Sequence, residues 1–165
     1  MINSYWRTFW VMHLSLIAGL LLTLIPLPSW IEPLRPDWVA LILIYWCISL
    51  PVSTGLITGF IFGLILDIAM GTLLGQHALG LTLISFLALR NYQRFRIFPP
   101  IQQGFIIMVI LLIKQLLFLW IYGITKRAPD SLFLYFLSSI ISMILWPWLS
   151  IVMREIHRRF LYISH

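Results

Sequence analysis

Hydrophobic residues dominate the chain in six long stretches, and polar residues are concentrated in the short gaps between them. Leucine and isoleucine follow one another without the strict alternation of polar and apolar positions that a transmembrane β-strand shows. The gaps carry proline, glycine or charged residues, which end helices. The pattern predicts an all-α, polytopic membrane helix bundle of about six transmembrane helices in a single domain, residues 1–165. The predicted spans are residues 8–25, 37–51, 54–70, 76–91, 101–124 and 132–153.

The second stretch is the weakest of these spans. Residues 38–50 give only about 20 Å of helix at about 1.5 Å per residue, so we expect this helix to extend beyond Pro51 or to be shielded from lipid on one side. An alternative with five spans joins residues 38–66 into one kinked helix. That helix would reach about 43 Å, well beyond a hydrocarbon layer of about 30 Å, so length favours six spans.

Composition and charge agree with a membrane setting. The chain is 61% hydrophobic and only 10% charged, and its mean hydropathy is +1.00. Lysine and arginine collect on the cytoplasmic side of membrane proteins, which predicts cytoplasmic N- and C-termini for six spans in a bacterial inner (plasma) membrane. This orientation places Arg7, Arg90, Arg94, Arg96, Arg154, Arg158 and Arg159 inside and Arg35, Lys126 and Arg127 outside. The charge count does not separate six spans from five.

The basic residues of the chain flank the predicted helices. In that position they can meet anionic lipid of the bilayer, so the high isoelectric point needs no nucleic acid as a partner. The last helix ends in a cationic cluster, Arg154, Arg158 and Arg159, with Glu155 and His157. This cluster, like Arg90, Arg94 and Arg96, predicts either cytoplasmic anchoring or contact with a cytoplasmic protein.

Small residues recur at every fourth position of the third stretch and around its end. The series is Gly55, Gly59, Gly63, Asp67, Gly71 and Gly75. This spacing aligns side chains on one helix face, where glycine lets two backbones approach closely. The face predicts either close packing within the chain or a docking groove for a partner helix, including a homodimer seam.

Asp67 is an acid inside an apolar helix, which is costly unless the carboxylate finds a partner. Lys114, the one cation well inside a predicted span, is a candidate partner. The alternative is a carboxylate near a helix end that accepts hydrogen bonds from the loop amides of Gly71 and Thr72. A proton or ion relay is less favoured, because no second carboxylate or histidine follows Asp67 at helical spacing.

No pattern in the sequence indicates catalysis. The histidines His13, His77, His157 and His165 lack the paired spacing of a metal site, and no serine sits in a nucleophile motif. Cys47 is expected to be a packing residue. Residues 8–25 are expected to be a retained helix instead of a cleaved signal. We therefore expect no enzyme activity, cofactor or metal.

An ordered set of residues carries a family resemblance. Arg35-Pro36-Asp37-Trp38 leads into Ile44-Tyr45-Trp46, followed by Gly59, Gly63, Leu64, Asp67, Gly71, Leu74-Gly75 and Ala78-Leu79, with Trp146-Pro147-Trp148 near the end. This set resembles the MreD family of rod shape-determining proteins, in its gammaproteobacterial form. The resemblance implies a non-catalytic inner-membrane subunit of the cell-elongation complex. The implied partners are MreC, MreB, and RodA with its partner transpeptidase.

The family is also similar in architecture to the substrate-binding subunits of vitamin uptake transporters, which keeps a small-molecule uptake subunit as the alternative function. That function would need a polar pocket near the outer face. The predicted outer loops offer a set of polar residues but no clear constellation: Glu32, Arg35, Asp37, Gln76, His77 and Asp130.

Overall fold

Six α-helices form the structure, a computed structural model that describes residues 2–162; His165 lies outside the described residues. The prediction of an all-α polytopic bundle is confirmed, and no strand occurs in the described part of the chain. A short 3-10 helix, Glu32–Leu34, lies between the first two helices. The helices are α1 (Ile2–Leu24), α2 (Trp38–Ser49), α3 (Leu56–Met70), α4 (Gln76–Ile97), α5 (Pro100–Thr125) and α6 (Leu132–Tyr162).

The short helix α2 lies at the centre of the bundle. Every residue from Val39 to Ile48 is buried, and the helix packs against α1, α4 and α6. The Trp46 indole donates to Ser15 Oγ on α1 at 2.7 Å. Protein therefore surrounds α2 on all sides, which exceeds the one-sided shielding expected from its length, and the helix does not extend beyond Pro51.

The loop between α2 and α3 rules out the alternative with one kinked helix over residues 38–66. Helix α2 ends at Ser49, and α3 begins only after Gly55. Pro51 lacks the N–H that a continuing helix needs, and residues 51–54 form a turn. The kinked-helix arrangement is therefore wrong.

Contacts between helix ends show that the helices run in alternating directions. Arg96, near the end of α4, donates to the Ile48 and Ser49 carbonyls at the end of α2, each at 3.1 Å. His157, near the end of α6, lies 3.4 Å from the Tyr45 hydroxyl. We call this side of the bundle the arginine end, because Arg90, Arg94, Arg96, Arg154, Arg158 and Arg159 lie on its helix ends. The loops 25–37, 71–75 and 126–131 lie at the opposite end.

Three of the described helices are long and apolar enough to cross a membrane, by length and composition: Tyr5–Leu24, Pro100–Thr125 and Leu132–Phe160. Helix α3 is apolar but has only 15 residues. At the arginine end, α4 and α6 continue past the predicted limits of residues 91 and 153, because their basic last turns remain helical. The number of membrane crossings stays a prediction for the shorter helices.

Candidate functional site

A cavity of about 730 Å³ opens at the end opposite the arginine end. It lies among the loop before α2, the loop before α6 and the adjoining parts of α3, α5 and α6. We call it the loop-end cavity. Its volume is in the range of ligand-binding pockets, about 300–1,000 Å³. Its polar lining consists mainly of Glu32, Arg35, Asp37, His77, Lys114, Gln115, Tyr122, Asp130, Tyr135, Ser138 and Ser139.

An ion pair between buried Lys114 and partly buried Asp37 lines this cavity. Lys114 is only 8% exposed. Asp37 is the N-cap of α2: its carboxylate accepts from the Ala40 amide at 3.4 Å, and its own amide donates to Ser142 Oγ at 3.2 Å. The expected pairing of Lys114 with Asp67 is therefore wrong. The pair joins α5 to the start of α2.

Polar side chains of α5 and α6 form a second part of the wall. Gln115 donates to the Tyr135 carbonyl at 3.0 Å, and Ser139 donates to Gln115 Oε1 at 2.6 Å. The Tyr135 hydroxyl donates in turn to the Gln115 carbonyl at 3.3 Å. These reciprocal bonds satisfy groups that would otherwise be costly to bury. They also hold α5 and α6 at a fixed separation beside the cavity.

Arg35 connects the loop before α2 to the end of α1. Its guanidinium donates to the Thr23 carbonyl and, at 2.6 Å, to the Ile25 carbonyl, where helix α1 leaves backbone acceptors without partners. Its own carbonyl accepts from Ser138 of α6 at 2.7 Å. Arg35 and Asp37 lie two positions apart in the sequence. Together they contact α1, α2, α5 and α6.

Asp67 lies at the junction of α3 and α4 and is 1% exposed. Its Oδ1 accepts from the His77 amide at 2.8 Å and the Thr72 hydroxyl at 2.9 Å, and its Oδ2 accepts from the amides of Gly75 at 2.8 Å and Ala78 at 3.3 Å. His77 Nδ1 lies 2.8 Å from Oδ1. A carboxylate at the start of a helix also interacts favourably with the helix dipole.

The alternative expected for Asp67 was a carboxylate that accepts hydrogen bonds from loop amides. Backbone amides do donate to it, but they are not the amides of Gly71 and Thr72. The amides of Gly71 and Thr72 bond to the Asp67 backbone carbonyl, and the carboxylate reaches across to the first turn of α4. His77 was also not expected as a neighbour, because it approaches from another helix. Its ring contacts Phe118 edge to face, with centroids 5.2 Å apart, and lines the loop-end cavity.

The glycine series divides into three structural roles. Gly59 and Gly63 face α4: a Cβ on Gly59 would lie 2.9 Å from the Leu81 carbonyl oxygen, and one on Gly63 would lie 2.6 Å from the Ala78 amide nitrogen. This face is therefore filled by the chain's own helix. Gly71 and Gly75 have φ of 64° and 99° in the turn, and Gly55 precedes α3.

The basic residues at the arginine end are not equivalent. Arg96 caps α2, whereas Arg158 and Arg159 both pair with Glu155, at 2.7 Å. The side chains of Arg90, Arg94 and Arg154 are exposed, and they form none of the ion pairs found within residues 2–162. The sequence predicted that these arginines act as one basic surface. In the structure they differ: one caps a helix, two form ion pairs with Glu155, and three are exposed without an ion pair.

The loop-end cavity brings together five of the six polar residues expected near the outer face; Gln76 instead donates to the Tyr122 hydroxyl at 3.1 Å. The sequence did not indicate that the helices contribute to this lining, to which they add Lys114, Gln115, Tyr135 and the serines of α6. A usable signal was the adjacent polar pair Lys114-Gln115 in the apolar middle of α5. The lining offers charge, hydrogen bonds and aromatic faces, which suits ligand binding.

Within residues 2–162, no group of three or more His, Cys, Asp or Glu is placed to share a metal ion.

Comparisons with known proteins agree on one family. The sequence model of a family described as "rod shape-determining protein MreD" matches residues 6–156. The chain is also similar to the Rod shape-determining protein MreD of Haemophilus influenzae, with 29% identity over 147 residues, covering 87% of this chain and 88% of the relative. No solved structure matches the chain significantly.

Proposed function

The chain belongs to the MreD family of rod shape-determining proteins, and we propose that it is a non-catalytic subunit of the complex that directs lateral wall synthesis during cell elongation. The observation that carries the proposal is the family match, which runs from α1 to the end region of α6. In this role the chain works with MreC, MreB, and RodA with its partner transpeptidase. Its contribution is to hold these partners together in the inner membrane.

The proposed orientation places the arginine end in the cytoplasm. It is supported by the clustering of six arginines at the ends of α4 and α6, because lysine and arginine are retained on the cytoplasmic side of short loops. Both termini then lie in the cytoplasm, and the loop-end cavity faces outward. MreB, as the cytoplasmic partner, can reach only the arginine end.

MreC is proposed to bind through a spanning helix on an outer face of the bundle. The Gly59 and Gly63 face is filled by α4, which supports a contact with MreC, or with a second copy of the chain, on another face. Exposed apolar side chains are available on four other helix faces, for example Ile17 at 43%, Ile61 at 48%, Val109 at 50% and Ile144 at 66% exposure.

Photo-crosslinking identifies the face. A photo-reactive amino acid is placed singly at Ile17, Ile61, Val109 or Ile144 in cells that express native levels of the protein, and crosslinked products are probed for MreC. We expect crosslinks from one face or from two adjacent faces, with the remaining positions as matched controls. Absence of MreC crosslinks at all four positions, in variants that still support rod shape, contradicts the proposed contact.

The proposed contact with MreB is tested at the arginine end. Replacement of Arg158 and Arg159 by glutamine removes two charges without touching a buried contact, because both side chains are exposed. We expect fluorescently labelled MreB to lose part of its membrane localisation. Normal MreB patches with this variant would place the contact elsewhere.

A small-molecule uptake subunit is the second candidate function, and the loop-end cavity is the observation that favours it. The cavity combines an ion pair, amide and hydroxyl groups, and the rings of Phe118, Tyr122 and Tyr135. Cells depleted of the protein would then keep their rod shape and need a nutrient supplement in minimal medium. Mass spectrometry of the purified protein would also detect a bound small molecule that the Lys114→Met variant lacks.

A further inference from the structure

A second, smaller pocket lies at the arginine end and plays no part in the proposed function. Its volume is about 350 Å³, at the lower limit of ligand-binding pockets. It lies between the ends of α2, α4 and α6 and the start of α5. We call it the arginine-end pocket. Exposed Arg96 and Arg154 lie at its mouth, and buried Gln103, Trp146 and Ser150 line its floor.

The polar groups on the floor of this pocket are already satisfied. Trp146 Nε1 donates to Gln103 Oε1 at 3.1 Å, and Gln103 Nε2 donates to the Phe95 and Phe98 carbonyls at 2.5 and 3.1 Å. Ser150 Oγ donates to the Pro147 carbonyl at 2.8 Å. The floor therefore offers no free donor to an anion, and the groups that can donate to one lie at the mouth.

The mouth is cationic. Arg96 uses Nε and Nη2 to cap α2, which leaves Nη1 outside those two bonds. The Arg154 side chain forms none of the side-chain hydrogen bonds or ion pairs found in residues 2–162. His157 is held by the ring of Trp46, with centroids 5.3 Å apart, and by the contact of Nδ1 with Tyr45, so its Nε2 remains for a ligand.

No carboxylate balances these charges within the pocket. None of the described residues that line it is acidic. Glu155, the nearest acid in sequence, is occupied by Arg158 and Arg159 on the exposed surface of α6. A single anionic group bound between the two arginines would meet two guanidinium groups, which are the preferred protein partners of phosphate.

Exposed apolar side chains lie at the end of α4 and the start of α5, the helix ends that border the pocket, which favours a lipid as the source of the phosphate. Ile97, next to Arg96 in sequence, is 81% exposed, and Ile101, near the start of α5, is 69% exposed. In a membrane protein such side chains face acyl chains beside the headgroup layer. Basic pockets between helices at this level suit lipid headgroups.

We propose that the arginine-end pocket binds the phosphate of an anionic phospholipid, with Arg154 as the main ligand and Arg96 and His157 beside it. The lipid headgroup enters the mouth, and the acyl chains lie along the exposed apolar side chains of α4 and α5. The lipid bridges α4 and α6, two helices that have few direct contacts in the described structure. The proposal depends only on the membrane location of the chain and not on its partners.

Native mass spectrometry of the full chain in neutral detergent tests the proposal. Wild-type protein is titrated with phosphatidylglycerol and, separately, with phosphatidylcholine of the same acyl chains, and the first bound lipid is quantified. The Arg154→Gln variant is compared with Arg94→Gln, which removes the same charge from an exposed, unpaired arginine at the same end that does not line the pocket. Thermal unfolding of each variant checks that its fold is retained.

We expect wild type and Arg94→Gln to bind one phosphatidylglycerol in preference to phosphatidylcholine, and Arg154→Gln to bind it about tenfold more weakly, as for loss of one charge-assisted hydrogen bond. Equal losses in both variants would show a diffuse charge effect and overturn the proposal, as would no loss in either. Displacement of the lipid by inorganic phosphate alone, at comparable affinity, would identify a free-anion site and overturn the lipid assignment.

Discussion

Adding a single methyl group at Gly63 tests the close approach of α3 and α4. In the Gly63→Ala variant, the new Cβ would lie 2.6 Å from both the Ala78 amide nitrogen and the His77 carbonyl oxygen. These are backbone atoms, so no side-chain rotation relieves the overlap, and the two helices must separate. Separation also lengthens the bonds from Asp67 to the first turn of α4.

The expected free-energy change combines three contributions. Overpacking costs about 1–3 kcal/mol. Weakened hydrogen bonds to a buried carboxylate add about 1 kcal/mol or more. Alanine is better than glycine inside a helix by about 1 kcal/mol, which opposes the other two. The net destabilisation is about 2 kcal/mol, and for a chain of this length it lowers the melting temperature by about 4–8 °C.

The assay is thermal unfolding in detergent at one fixed scan rate, because membrane proteins often unfold irreversibly. Gly123→Ala is the matched control: this glycine also lies in a helix, and nothing lies within 4 Å of its new Cβ. We expect the control to melt with wild type or slightly above it. If Gly63→Ala also melts with wild type, the close helix approach at Gly63 is refuted.

Two further predictions concern the buried charges. In Asp67→Asn, the new amide group faces N–H donors of the α4 turn and leaves at least one of them without an acceptor, so we expect a loss of about 1–3 kcal/mol; an unchanged melting temperature would show that the negative charge has no role there. Lys114→Met leaves the partly buried Asp37 without its cation and should cost about 2–3 kcal/mol, below the full cost for a fully buried pair, whereas the double variant with Asp37→Asn should recover most of that loss. Additive losses in the double variant, measured by the same thermal unfolding, would refute the ion pair.

The helix bundle was predictable from the sequence because hydrophobic stretches and breaking residues are local signals. The number of helices and their approximate bounds follow from them. The position of α2 at the centre was only partly predictable. Its shortness indicated shielding, but the sequence does not show that α1, α4 and α6 surround it, because that depends on tertiary packing.

The buried charges show where sequence reasoning stops. Asp67 and Lys114 were correctly singled out as charges within apolar helices, yet each has a different partner from the one expected. Asp37 was recognised as the first residue of the predicted span 37–51 and as a polar group of the outer loops, but not as a member of an ion pair, because it lies 77 positions before Lys114 in the sequence. Pairings of this kind depend on which helix ends meet, and periodicity within one helix carries no such information.

The loop-end cavity could not be predicted for a similar reason. Its loop residues were recognised as polar groups without a common arrangement, and its walls come from interior turns of α5 and α6. The reciprocal bonds among Gln115, Tyr135 and Ser139 exist only once these helices pack. In a hydropathy profile these three residues are only polar positions within apolar stretches.

The most direct test of a role in cell elongation is depletion of the protein in its rod-shaped host with imaging of cell shape. Cells are complemented with wild-type protein or with Gly63→Ala as a destabilised control, in rich and in minimal medium. If the protein acts in elongation, depleted cells become round in both media, wild type restores rods, and the variant restores them incompletely. Cells that remain rods after depletion, and stop growing only in minimal medium, would contradict the elongation role and favour small-molecule uptake.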